Sequence, residues 1–151
     1  MPSPNYAAGR MFPISMIIIH STRGGQVEGV EMQATINWFL NPDSEASSHI
    51  VIGKDGRTIR FVNDEDQCWA AGELNAFSLQ VELEQPDNET EFTRVQIDNL
   101  VTVVQEWMAK YSIPITSVLG HDQTSQGIAQ GKTDVGKMFD WIWFRERISD
   151  D

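Results

Sequence analysis

The chain has 151 residues, 40% of them hydrophobic and 22% charged, which suits one folded unit with a single core and leaves little room for a second. Its 22 acidic and 11 basic residues give a formal charge of −11, which argues against a nucleic-acid or anionic-membrane partner, since such partners are held mainly by basic patches. The single cysteine, Cys68, excludes a disulfide framework and any Cys-x-x-Cys metal site, and next to Trp69-Ala70-Ala71 it reads as a small buried hydrophobe.

Residues 1–14 carry three prolines and predict an extended N-terminal arm. They do not read as a signal peptide, and the apolar run that follows is too short to span a membrane. Residues 15–19 predict a buried strand by their β-branched content, with His20 opening a loop at its C-terminal end. A helix is expected in the second half of residues 26–40, with Met32, Ile36, Phe39 and Leu40 on one side and Asn41-Pro42 as its stop. Residues 48–53 and 58–62 predict a hairpin around Asp55-Gly56. Residues 78–83 predict a strand whose alternation puts Ser78, Gln80 and Glu82 on one face and Leu79, Val81 and Leu83 on the other. The clearest element is a helix over residues 93–110, where Ile97, Leu100, Val101, Val104, Trp107 and Met108 form one stripe. A short strand over residues 113–119 then leads to His121, and Asp140 is placed to cap a final helix bearing Trp141 and Phe144. Strands mixed with helices predict an α/β fold, with a central mixed sheet flanked by helices in one domain over residues 1–151.

The chemistry concentrates in residues 119–141, where His121, Lys132 and Asp134 sit on a glycine-rich loop. Such a loop makes a poor core and presents polar side chains well. Two histidines at the edges of buried elements, His20 and His121, with one carboxylate have the donor types of a zinc site with an open fourth position. Each histidine taken alone reads equally as a hydrogen-bonded residue at a strand end, and no His-Glu-x-x-His motif is present.

Five segments, in order, resemble the type 2 N-acetylmuramoyl-L-alanine amidase family, which includes phage endolysins and peptidoglycan-recognition proteins. They are Ser3-Pro4-Asn5-Tyr6 with Gly9-Arg10, Ile17-Ile18-Ile19-His20-Ser21-Thr22, Ser48-His49-Ile50-Val51-Ile52 with Asp55-Gly56, Ser78-Leu79-Gln80-Val81-Glu82-Leu83, and Gly120-His121 with Lys132-Thr133-Asp134-Val135-Gly136 and Phe139-Asp140-Trp141. The resemblance implies one Zn2+ ion held by His20, His121 and Asp134, with Glu82 and Lys132 as catalytic residues; His49, Trp69 and Ala70 are candidate substrate contacts, although His49 reads more readily as a hydrogen-bonded structural histidine than as a ligand, and Trp69 equally as a core aromatic. Many members carry histidine where this chain has Ala70, and proline where it has Val135.

The implied activity is zinc-dependent hydrolysis of the amide between N-acetylmuramic acid and the L-alanine of the peptidoglycan stem. The arm and the lack of a visible signal peptide point to a phage endolysin, held in the host bacterial cytoplasm until lysis and then acting on the cell wall. Peptidoglycan is the expected partner, without nucleic acid or membrane, and a monomer is expected. The alternative is a non-catalytic peptidoglycan-binding module of the same fold. Against it, all three ligand positions and both catalytic positions are filled.

Overall fold

The computed structural model describes residues 1–23 and 31–149. In chain order its elements are β1 (Tyr6–Ala7), β2 (Met16–Ser21), α1 (Glu31–Leu40), β3 (Ile50–Ile52), β4 (Thr58–Arg60), β5 (Gln67–Cys68), β6 (Ser78–Leu83), α2 (Arg94–Tyr111), β7 (Val118–Gly120), α3 (Ser125–Ala129) and α4 (Trp141–Ser149). Five strands form a mixed sheet in the order β4-β3-β6-β2-β7. β3, β6, β2 and β7 run parallel, and β4 returns antiparallel to β3. The fold is thus the predicted α/β arrangement of one mixed sheet with helices.

Alternation along the central strands sorts their side chains. Ile17, Ile19, Leu79, Val81 and Leu83 join the larger core with Leu100, Val104 and Trp107 of α2 and Phe144 of α4. A smaller cluster joins Val51 to Met32, Ile36 and Phe39 of α1 and to Phe61, Val62 and Cys68. Leu40, expected on the buried side of α1, is 38% exposed because the helix ends there. The expected helix segment before Glu31, and the end of the loop after His20, fall outside the described residues.

β2 runs through Ser21, so His20 lies within a strand and not in a loop. β6 supplies the reason, because it continues alongside as far as Leu83, whose carbonyl accepts the Thr22 amide at 3.0 Å. α2 opens on a capping box in which Thr93 and Gln96 satisfy each other's backbone amides, a device worth about 1 kcal/mol. The hairpin turn carries Gly56 at φ +90°, a conformation that disfavours any side chain. The strand before His121 is shorter than expected, because a 3-10 turn at Ile115–Ser117 takes up its first half.

The N-terminal arm is stitched to the body. β1 pairs with β5, and the Asn5 amide donates to the carbonyls of Asn41 and Ala46, each at 3.0 Å. The Arg10 guanidinium donates to the carbonyls of Asp64, Asp66 and Ser78. Among the described residues, no helix is long and apolar enough to cross a membrane.

Candidate metal centre

Parallel pairing of β2 with β6 sets His20 directly beside Glu82, with Nδ1 of the ring 3.8 Å from Oε1 of the carboxylate. On the other side of β2, β7 ends at Gly120, and the tight turn His121–Gln123 delivers the second imidazole. The two rings meet edge to face at 4.6 Å between centroids. Asp134 returns from the following loop and places Oδ2 2.8 Å from Nδ1 of His20 and Oδ1 3.3 Å from Nδ1 of His121. Ligand atoms of these three residues all lie within 4.8 Å of one another.

The outer ring nitrogens are occupied by protein. Nε2 of His20 lies 2.7 Å from Gln80 Oε1, and Nε2 of His121 lies 2.7 Å from Gln126 Oε1. Both imidazoles therefore turn Nδ1 toward the carboxylate. Two nitrogens and one carboxylate oxygen converging in a largely buried place form a donor set that fits Zn2+ and leaves a position for water or substrate.

Burial opposes charge on His20, Glu82 and Asp134, and the contacts decide the outcome. For Asp134, hydrogen bonds from both histidines outweigh burial and hold the carboxyl well below the usual carboxylate range. For His20, burial is the largest single influence and favours the neutral ring, but Asp134, Glu82 and Gln80 together draw the pKa upward. Glu82 goes the other way, because burial pushes its carboxyl up to about 7 despite the opposing pull of the histidines.

The loop that carries Asp134 is held by packing. Val135 is fully buried in the larger core, so an apolar side chain anchors the residue next to the candidate ligand. The spacer between His121 and Lys132 contains α3, which the sequence did not reveal. A Cβ on Gly127 would overlap the His121 carbonyl oxygen, so the helix lies directly against that residue, and the Gly127 carbonyl accepts the Lys132 amide at 2.8 Å. Arg23 crosses from the end of β2, donating to Ser21 Oγ at 3.0 Å and to the Thr133 carbonyl at 2.6 Å.

Of the residues expected to serve the site, His20, Glu82, His121 and Asp134 come together. Lys132 lies two residues before Asp134 on the same loop, with an exposed side chain. Trp69 and Ala70 line a cleft of 480 Å³ whose wall also includes Thr22, Trp38, Phe39 and Glu82. His49 does not line this cleft. It is completely buried, Nδ1 accepts the Gln80 backbone amide at 3.1 Å, and Nε2 faces the Asp66 carbonyl at 2.9 Å. The expectation of a substrate contact at His49 is corrected to a structural one, because both ring nitrogens are used inside the fold. Nothing in the sequence marks Gln126 or Arg23, and the alternation of β6 puts Gln80 on the face of Glu82 without showing its task. Its spacing of two from Glu82 was the available signal.

Residues 10–137 match the family described as N-acetylmuramoyl-L-alanine amidase. The 1,6-anhydro-N-acetylmuramyl-L-alanine amidase AmpD of Haemophilus influenzae is 33% identical over 150 residues, covering 85% of this chain and 79% of that protein. A crystal structure of a selenomethionine derivative of AmpD superposes with a TM-score of 0.81 at 25% identity, covering 98% of this chain and 92% of the other. The endolysin N-acetylmuramoyl-L-alanine amidase LysCS of Clostridium intestinale shares the fold, with a TM-score of 0.73 at 19% identity over 100% of this chain and 92% of that one.

Proposed function

The chain belongs to the N-acetylmuramoyl-L-alanine amidase family, an amide hydrolase family, and we propose that it cuts the muramyl–L-alanine amide using one Zn2+ ion held by His20, His121 and Asp134. The observation that carries this reading is the convergence of both Nδ1 atoms on the Asp134 carboxylate beside Glu82.

When bound, zinc supplies Lewis acidity and lowers the pKa of a coordinated water to about 7. The protein's own groups do the remaining work. Glu82 sits at the cleft wall beside His20, placed to take a proton from water and pass it to the leaving amine. Lys132 brings an exposed cation to the loop two residues before Asp134, where it can stabilise negative charge growing on the scissile carbonyl oxygen. Trp38 and Trp69 give the cleft an apolar wall that orients the substrate and excludes water.

The AmpD relative favours a soluble 1,6-anhydro-muramyl peptide as the substrate. The endolysin reading, in which the protein waits in a host cytoplasm as a monomer and then attacks the wall, favours polymeric peptidoglycan instead. Both substrates carry the same scissile amide. Mass analysis after digesting intact sacculi and a purified 1,6-anhydro-muramyl peptide separates the two. Free stem peptide from the soluble substrate at a much higher kcat/KM supports the first reading, and comparable cutting of intact sacculi supports the second. Cleavage of any bond other than muramyl–L-alanine would sink both. Zinc content measured on the purified protein, with loss of turnover on chelation and recovery on adding Zn2+, tests the metal.

A further inference from the structure

His20 must present an electron pair at Nδ1 to bind a metal, which requires the ring proton to sit on Nε2. A short chain of hydrogen bonds behind the ring dictates that choice. It starts from two groups whose role cannot change, the backbone amides of Ala70 and Ala71. Both point at one atom of the Asn75 side chain, at 3.2 and 2.8 Å. Backbone N–H groups only donate, so that atom is the amide oxygen of Asn75. The same oxygen lies 2.8 Å from the Gln80 side chain, so the Gln80 atom facing it must be the NH2 group. The other end of Gln80 is then its oxygen, and it faces Nε2 of His20 at 2.7 Å. An oxygen there accepts only, so Nε2 must carry the hydrogen. The usual ambiguity of amide orientation is thus removed by the backbone at the far end.

We propose that Gln80 and Asn75 are positioning residues for the metal site, forming a one-way relay from the Ala70 and Ala71 amides that fixes His20 as an Nδ1 ligand. The relay is buried at its centre, since Gln80 is completely shielded from solvent. It also ties the cleft wall at Ala70 to the metal ligand through three hydrogen bonds. Loss of the acceptor behind a metal-binding histidine lowers metal affinity about 10- to 100-fold.

The relay rests on the zinc reading, and the experiment separates the two. Nitrogen-15-labelled protein loaded with cadmium-113 is expected to show cadmium coupling to Nδ1 of His20, with a slowly exchanging hydrogen on Nε2. Gln80→Leu and Asn75→Leu are expected to weaken zinc about 10- to 100-fold in a chelator competition. Asn75→Asp, which keeps the accepting oxygen, is expected to hold wild-type affinity. Melting of the metal-free proteins separates a folding defect, which Asn75→Asp rescues only if the oxygen matters. Cadmium coupling to Nε2 of His20, or wild-type zinc affinity in Gln80→Leu, overturns the relay while leaving the metal site standing. Asn75→Asp behaving like Asn75→Leu removes Asn75 from it. Absence of coupling to both His20 and His121 overturns the zinc reading and the relay with it.

Discussion

The site has two halves that are built differently. His20 and Glu82 stand on neighbouring parallel strands, where the backbone ladder fixes their separation. His121, Lys132 and Asp134 come from a turn and a loop with no such ladder, and there packing takes over: Val135 in the core, Gly127 against His121, and Arg23 across to Thr133. A sheet can set two polar side chains side by side with little help. A loop can do so only if an apolar anchor offsets the entropy of ordering it. The strand half should therefore tolerate side-chain changes without moving, and the loop half should not.

The harshest test removes the residue that joins the halves. Asp134→Ala takes away the contact to both histidines, and zinc content is expected to fall to background, with turnover down about 1,000-fold or more. Zinc retained at wild-type affinity would show that the loop half is dispensable. Glu82→Gln alters only the strand half. Zinc should stay bound while kcat drops about 100-fold or more, and undiminished kcat would take Glu82 out of the chemistry.

His49 probes the scaffold beneath the strand half. Burial lowers its pKa from 6.5 to about 4, so the folded protein holds the ring neutral while the unfolded chain takes up a proton below pH 6.5. That stabilisation is fully present above pH 6.5 and is lost as pH falls toward about 4, amounting to about 3 kcal/mol. Urea unfolding across this range should show the slope, and His49→Gln should flatten it. The smallest effect concerns the loop anchor. Val135→Ala should cost about 2 kcal/mol of stability through the lost methyl groups and cavity, and weaken zinc as well, whereas an equal loss at Val104 in α2 should leave zinc affinity alone. Equal zinc affinity in both variants would dissolve the distinction between the halves.

Much of this was legible in the sequence. The alternation of residues 78–83 and the apolar stripe of α2 are local patterns, and local patterns survive without a tertiary structure. The candidate donor types and the family resemblance were legible for the same reason, being carried by short segments. The tertiary structure decided the remainder. Pairing between strands about 60 residues apart put His20 in β2 beside Glu82, and no local spacing encodes that register. Folding the hairpin onto the arm buried His49, which the sequence left between a structural histidine and a cleft contact. The path of α3 gave Gln126 a partner that its own neighbours do not suggest. Which chemical groups are present, and on which strand faces they lie, follows from the order of residues, because alternation is a property of the extended backbone. Which ring nitrogen of each histidine faces Asp134 was settled by folding, because it depends on where Gln80 of β6 and Gln126 of α3 bring their acceptors.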